Sequence, residues 1–306
     1  MVMEKAREIL VIGGNRYFGK RLIARLLAAG NRVTVLNRGS SPPPPGATHL
    51  VADRNDETSL TDALGPRVFD VVVDQVCYTP RQAEIARRVF AGRTGRYVMT
   101  STVEVYEYED SIALVREDAV DPLTVTVDTE LPWEDPEFLE THYGEGKRQA
   151  EAVFAAAPDF PYAAVRVAHV LGGDDDFTGR LDHYASRIRA GEPIAVPFSN
   201  QPATYIHVEE IADFLAWAAG EEFTGPVNAA SHGLLTTIEL CEAVTAHLPR
   251  GKVVLQLVEV GEVSPFSFSR SYGMDNSRAA RLGFPFGDVR QWLPTAIAET
   301  LGKDGD

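Results

Sequence analysis

Short apolar runs alternate with longer amphipathic stretches along the first half of the chain. Residues 9–12, 33–36, 71–74, 97–100 and 163–167 are each about strand length and apolar on both faces, the pattern of buried parallel strands. Between them, residues 18–29, 59–64, 82–90 and 147–156 carry a helical period. Repeated βα units of this kind predict an α/β fold, a Rossmann-type doubly wound parallel sheet over residues 1–168. Beyond residue 168 the rhythm loosens. Helical periods remain at 181–190, 208–219, 238–246 and 289–300, and strand-like runs at 205–207, 227–229 and 253–258. A smaller C-terminal α/β region over 169–306 is expected, with segments at about 203–232 returning to the first domain. Ser41–Gly46, SPPPPG, reads as a stiff extended connector.

Composition narrows the class of molecule. A chain of 306 residues buries a core without metal or disulfide staples, and 44% apolar with 24% charged residues excludes global disorder. Cys77 and Cys241 lie far apart, in no ligand spacing, so no zinc site or other metal centre is expected. No apolar run approaches the ~20 residues that span a bilayer, and residues 1–14 run into a strand rather than a cleavable signal. A soluble, cytoplasmic protein without a membrane partner is expected. The 29 basic and 44 acidic residues leave a net charge of −15, which repels a phosphate backbone and makes nucleic acid an unlikely partner. Most of that charge is local: residues 104–145 hold 14 acids against one base, Arg116. Such a stretch is either a solvated surface or the rim of a pocket that disfavours polyanionic substrates.

The first strand leads into Gly13-Gly-Asn-Arg-Tyr-Phe-Gly19. Gly13 and Gly14 suit a turn with unusual dihedrals, and Gly19 suits close packing of the following helix. A helix N-terminus there offers free N–H groups to a pyrophosphate, which makes Gly13, Asn15, Arg16, Tyr17, Phe18 and Gly19 candidate cofactor ligands. The second strand ends in Asn37-Arg38. An acidic residue there would accept from a ribose hydroxyl, whereas Arg38 suits a 2′-phosphate, with Arg16 as a second cation. NADP is therefore the expected cofactor, with NAD possible. Solvated loop arginines are the competing reading. Asp53 follows a third strand-like run and is placed either to touch the adenine or to cap the next helix.

Tyr143-Gly-Glu-Gly-Lys147 opens a helix, and i, i+4 spacing sets the two side chains on one face. An ammonium beside a phenol stabilises tyrosinate and readies it for proton exchange near neutral pH.

Together with Thr100-Ser-Thr-Val-Glu-Val-Tyr106 and Tyr205-Ile-His-Val-Glu-Glu-Ile-Ala-Asp-Phe-Leu215, these motifs resemble an extended short-chain dehydrogenase/reductase. The resemblance runs from residue 8 to about 300. Arg16 in the turn is similar to an atypical subgroup of the NAD-dependent epimerase/dehydratase-like proteins that includes the chloroplast stem-loop-binding proteins. The resemblance implies hydride transfer at a nicotinamide. Tyr143 would be the general acid/base, Lys147 would hold the nicotinamide ribose and tune Tyr143, and Thr102 would hydrogen-bond the reacting oxygen beside Ser101. It also implies substrate contacts at Ser101, Arg180, Arg187 and Tyr205, for which structural salt bridges explain the arginines as well. Where sugar 4,6-dehydratases carry Ser-Thr-Asp-Glu, this chain has Ser101-Thr-Val-Glu104, so dehydration is disfavoured. Family dimers would pair the Tyr143 helix with the one at 82–90, a possible homodimer.

The expected function is an NAD(P)-dependent oxidoreductase, reductase or epimerase-like, acting on a small molecule. The alternatives are a non-catalytic dinucleotide-binding regulatory protein and an RNA-binding relative. The intact Tyr143/Lys147 pair opposes the first and the charge opposes the second. Two further features read as structural: His207 beside Glu209 and Glu210 at a helix start, and Asp174-Asp-Asp176 as an exposed acidic turn.

Overall fold

The computed structural model describes residues 6–109, 111 and 113–302. The sequence positions 1–5 of the N-terminal reading, and Asp110 of the acidic stretch, lie outside the described residues. Two compact units emerge. One holds the described residues up to Glu107, then Glu117–Arg166 and Ala212–Val227. The other holds the described residues of Tyr108–Arg116, Val167–Ile211 and those from Asn228 onward. The returning segment is thus 212–227 rather than 203–232, and 108–116 leaves the first unit.

In chain order the first unit contains β1 (Glu8–Ile12), α1 (Phe18–Ala28), β2 (Arg32–Asn37), β3 (Thr48–Val51), α2 (Glu57–Leu64), β4 (Val71–Asp74), α3 (Pro80–Phe90), β5 (Tyr97–Thr102), α4 (Pro136–Thr141), α5 (Tyr143–Ala155) and β6 (Tyr162–Val167). The remaining elements are β7 (His169–Leu171), α6 (Arg180–Ala190), β8 (Pro193–Pro197), β9 (Tyr205–His207), α7 (Val208–Gly220), β10 (Gly225–Ala229), α8 (Thr237–Ala246), β11 (Val254–Val258), α9 (Ser277–Leu282) and α10 (Val289–Gly302). The central sheet has the order β10-β6-β5-β4-β1-β2-β3, with parallel pairing from β3 through β2, β1 and β4 to β5. Strand order therefore reverses between β1 and β4. In such sheets the crevice beyond the carboxyl ends at the reversal is where ligands bind.

Every residue of β4, β5 and β6 is buried, because strands flanked by helices on both faces have no solvated side. Full burial of each of their apolar side chains contributes about 1.5–3 kcal/mol. Helix starts follow local chemistry. Asp56 accepts from Thr58 N and Ser59 N at the start of α2, and Thr79 accepts from Gln82 N ahead of Pro80 in α3. At the amino end of β5, Arg96 donates to Ala218 O (2.8 Å) and Phe223 O (2.6 Å), fastening the end of α7. In the second unit, β7 pairs with β9 and β8 with β11, both parallel.

α5 is covered on every side within its own unit. α3 lies along it, the 3-10 turn Val103–Tyr106 meets its first turn, and the segment around 122–133 crosses its remaining face. There Asp128 N donates to Gln149 Oε1 (2.8 Å), and Trp133 Nε1 donates to Asp128 O (2.8 Å). Arg81 of α3 donates to Thr129 O in the same segment. A dimer through this helix face, as the resemblance implies, would have to displace the chain's own cover. The acids of 104–145 have assorted local duties: Asp121 and Asp135 cap short helices, while Glu107 and Glu145 pair with Arg148.

Candidate active site

The glycine-rich turn leaves β1 at the strand-order reversal. Gly13 and Gly14 have φ of +82° and +84°, and Gly13 N donates to Leu36 O at 2.8 Å, so the turn needs glycine there. A Cβ on Gly19 would lie 2.5 Å from Gly14 Cα, which is how the turn and α1 close on each other. Tyr17, buried and at φ +51°, precedes α1 with no side-chain cap. Its ring lies 6.0 Å from that of Phe18. Asn15 donates to Ser41 O (2.9 Å) and Pro42 O (3.0 Å), while its Oδ1 is buried with no partner. Gln75, at the end of β4, packs against Gly14 and Gly19, and its Nε2 is likewise unpartnered. The unfilled Gln75 Nε2 donor beside a helix start with no side-chain cap fits the diphosphate of a dinucleotide.

Arg16 and Arg38 are exposed. Asn37, the neighbour of Arg38, is held by Gly39 N (2.7 Å) and His49 (3.0 Å). Asp53 is exposed and accepts from Asn55 N (2.9 Å). The cap of α2 is Asp56, which corrects the capping alternative for Asp53.

At the carboxyl end of β5 stand Thr102, Tyr143 and Lys147. Thr102 Oγ1 accepts from Glu104 N (3.2 Å), starting the 3-10 turn. Lys147 is 1% exposed and donates to Thr100 O at 2.7 Å. Its Nζ lies 4.5 Å from the ring centre of Tyr78 and 5.8 Å from that of Tyr143, and the two rings are 6.1 Å apart. The glycines of Tyr143-Gly-Glu-Gly-Lys147 let α5 approach. A Cβ on Gly144 would overlap Glu104 O, and one on Gly146 would overlap Tyr78 O.

Beneath this corner lies a buried polar group. Arg54 donates to Asp74 Oδ2 (2.5 Å), which also accepts from Tyr97 (2.5 Å), while Asp74 Oδ1 accepts from Val76 N (2.9 Å). Burial alone would lower the Arg54 guanidinium, but Asp74, Cys77 and Tyr97 together outweigh it and the group is raised. Burial pushes the Cys77 thiol up to about 11. Burial also pulls Lys147 down from 10.5 to about 8, against the opposing influence of Cys77 and Asp74.

Ser101 is a correction. Successive strand residues face opposite ways, and the Ser101 hydroxyl, buried, donates to Glu151 Oε1 (2.5 Å). Glu151 in turn pairs with Arg166 (2.6 Å). Ser101 therefore belongs to an internal ion pair and not to a substrate surface.

The second unit holds the other candidates. Arg180 opens α6, is exposed, and sits 5.6 Å over the Phe266 ring. Arg187 donates to Pro193 O (2.7 Å) and lies 3.6 Å from Glu192, so it ties the end of α6 to β8. That is the salt-bridge reading of this residue. Tyr205 is fully buried, its hydroxyl without a partner. Next to it His169 stacks on Phe268 (4.8 Å), with Nε2 unpartnered. Burial, aided by Arg180, pulls His169 down to about 3, so the imidazole is neutral. His207 Nδ1 accepts from Glu209 N (3.4 Å) as α7 begins, and Asp176 accepts from Thr178 N (2.8 Å) in its turn.

Tyr78, Gln75, Arg54, Asp74 and His169 were not among the expected site residues. Tyr78 had a local signal, an aromatic residue directly before the Thr79-Pro80 helix start.

Known proteins resemble the chain at several levels. It is 26% identical over 234 residues to chloroplast stem-loop binding protein of 41 kDa b of Arabidopsis thaliana, covering 71% of this chain and 56% of that protein. It is 24% identical over 272 residues to UDP-glucuronic acid decarboxylase 2 of the same plant, covering 78% and 57%. The chain thus spans somewhat over half the length of these relatives. The fold matches UDP-glucose 4-epimerase of Thermotoga maritima, solved with UDP-glucose, at a TM-score of 0.73, 17% identity and 98% and 100% coverage. It also matches MoeE5 in complex with UDP-glucose and NAD, at 0.70, 21% identity and 96% and 99% coverage. The model of the NAD dependent epimerase/dehydratase family matches residues 9–231, most of the chain including the turn, Thr102, Tyr143 and Lys147, and the protein belongs to that family.

Proposed function

We propose that the protein is an NAD(P)-dependent oxidoreductase of the extended short-chain type, with Tyr143 as its acid/base. The observation that carries this reading is the corner of Thr102, Tyr143 and Lys147 at the end of β5, beside a turn built to take a diphosphate. A bound nicotinamide supplies the hydride chemistry. Gly13, Asn15, Arg16, Tyr17, Phe18 and Gly19 surround the diphosphate, with Asp53 toward the adenine. Arg38 favours a 2′-phosphate, and therefore NADP, although MoeE5 was solved with NAD.

Each side chain has a definite task. The Thr102 oxygen already accepts from Glu104 N, so its own O–H donates to the reacting oxygen. Tyr143 gives or takes the proton at that oxygen. Lys147 uses one of its three N–H bonds on Thr100 O and offers the others to a ribose hydroxyl, while its charge favours tyrosinate. Val103, apolar and 2% exposed, has no proton to move, which speaks against water elimination through this segment. The substrate is a small molecule with a secondary alcohol or ketone. The epimerase and decarboxylase relatives support a sugar-like one.

Replacing Tyr143 with Phe tests the reading. Turnover, followed by nicotinamide absorbance over a panel of sugars and nucleotide-sugars, should fall by roughly 10²–10⁴ while cofactor binding persists. Undiminished turnover in Y143F sinks it. RNA binding, raised by the name of one relative, is opposed by the net charge of −15. A salt-dependent RNA affinity would favour it instead.

A further inference from the structure

The lysine of this corner has a closer aromatic neighbour than the tyrosine four residues before it. Lys147 Nζ stands 4.5 Å from the centre of the Tyr78 ring and 5.8 Å from that of Tyr143. No carboxylate pairs with the ammonium among the described residues; its one hydrogen bond is to Thr100 O. A cation 1% exposed with so little hydrogen bonding requires another source of stabilisation. The π face of an aromatic ring provides one, and it is strongest where water is excluded.

Tyr78 is itself tightly held. Its N donates to Gln82 Oε1 (2.6 Å), Thr79 beside it caps α3, and its carbonyl occupies the space that Gly146 leaves open. The glycine at 146 thus brings α5 onto Tyr78 and the lysine one residue later onto its ring.

We propose that Tyr78 is a positioning residue whose ring face holds the Lys147 ammonium in the site and shares its charge with Tyr143. The role rests on the reading of Lys147 above only for its consequence in catalysis; the contact itself stands apart from it. Tyr78 does not replace Tyr143 as the proton carrier. Burial, reinforced by Asp74, raises its phenol, so it stays protonated and offers its ring rather than an oxyanion. The other groups facing Lys147 are Asp74 and Cys77 from the end of β4, Arg54 beyond β3, and Glu151 one turn along α5. None of them is altered by a change confined to the ring at 78.

The chain has only five lysines, Lys5, Lys20, Lys147, Lys252 and Lys303, so each can be followed by NMR in protein labelled at the lysine side-chain carbon. The Lys147 signal is identified by its loss in K147M. Neither substrate nor cofactor is needed. Y78F, which keeps the ring, should leave the Lys147 titration midpoint within about half a unit of wild type. Y78L should lower it by about one unit, a tenfold change in the charged-to-neutral ratio at a given pH, as expected for a desolvated cation–π contact. A ring-fluorinated phenylalanine at 78 has nearly the same shape with the π charge withdrawn. It should lower the midpoint as Y78L does, and it covers the case in which Y78L does not fold. An unchanged midpoint in the fluorinated variant, or a shift in Y78F as large as that in Y78L, overturns the proposal. Loss of turnover in Y143F with no change at Tyr78 would uphold the mechanism and reject this role, so the two claims fail separately.

Discussion

Two buried cations of the first unit, Arg166 and Lys147, lie on or beside neighbouring strands and are treated in opposite ways. Arg166 is fully buried and all five of its N–H bonds are placed: on Glu151, the Tyr106 hydroxyl, Glu117 O and Val120 O. Lys147 is as deeply buried and has one hydrogen bond and a ring. Burial would lower both groups. For Arg166, Glu151 and Tyr106 together reverse the effect and leave it raised, whereas Lys147 stays lowered, at about 8. Saturated donors hold a structure together; donors left over are available to a ligand. The difference sets a saturated buried cation against one with donors to spare, without reference to any relative.

Substitution should sharpen that contrast. R166M leaves the buried Glu151 carboxylate with the Ser101 hydroxyl but no cation, and should cost about 3–5 kcal/mol in denaturant unfolding. K147M should cost less than about 1 kcal/mol, or stabilise, since it removes a charge that burial penalises. The pH dependence carries a sign. The folded-state value for Lys147, about 8, lies below its ordinary 10.5, so between these values the unfolded chain binds more protons. The penalty is complete below pH 8 and is relieved as pH rises toward 10.5. Wild type should therefore gain, relative to K147M, on the order of 3 kcal/mol across that window. Parallel stability curves for the two proteins would erase the contrast.

A smaller effect comes from G146A. Alanine in place of glycine inside a helix ordinarily stabilises by about 0.5–1 kcal/mol. Here the added methyl overlaps the Tyr78 carbonyl, so we expect a loss of about 1–3 kcal/mol instead, read as a lower thermal midpoint together with weaker cofactor binding. A gain in stability would mean that α5 has slack beside Tyr78.

The smallest structural effect belongs to R38A. Arg38 is exposed, and its removal should leave stability within ~0.5 kcal/mol. Binding should respond selectively. NADPH affinity should weaken about tenfold, as for a lost charge-assisted contact, while NADH affinity stays within about twofold. Tighter binding of NADH than NADPH by the wild type would remove Arg38 from cofactor choice.

Much of this corner was legible because it is local. The strands at 33–36, 71–74 and 163–167 carry apolar residues on both faces since both faces are covered, and they appear within two residues of their expected bounds. Tyr143 and Lys147 share a face through helical spacing alone. The contacts that were not foreseen are non-local. Tyr78 and Asp74 reach Lys147 and Arg54 only because β4 sits between β1 and β5. The strands β7 and β8 are short and owe their existence to β9 and β11, far along the chain. Ser101 was an avoidable misreading, since strand alternation already sets it on the other face from Thr102. Arg187 gives no such signal, as nothing in its neighbourhood tells a clamp from a ligand contact.

The cover over α5 has a consequence for handling the protein in dilute solution. In an assembly whose central helix is buried by a second copy, lowering the concentration strips that helix bare and the folded state with it. Here the chain's own residues 122–133 lie over α5, at a local concentration that dilution does not change. The helix that carries Tyr143 and Lys147 is therefore sheltered on that face by covalent connection, whatever the protein concentration.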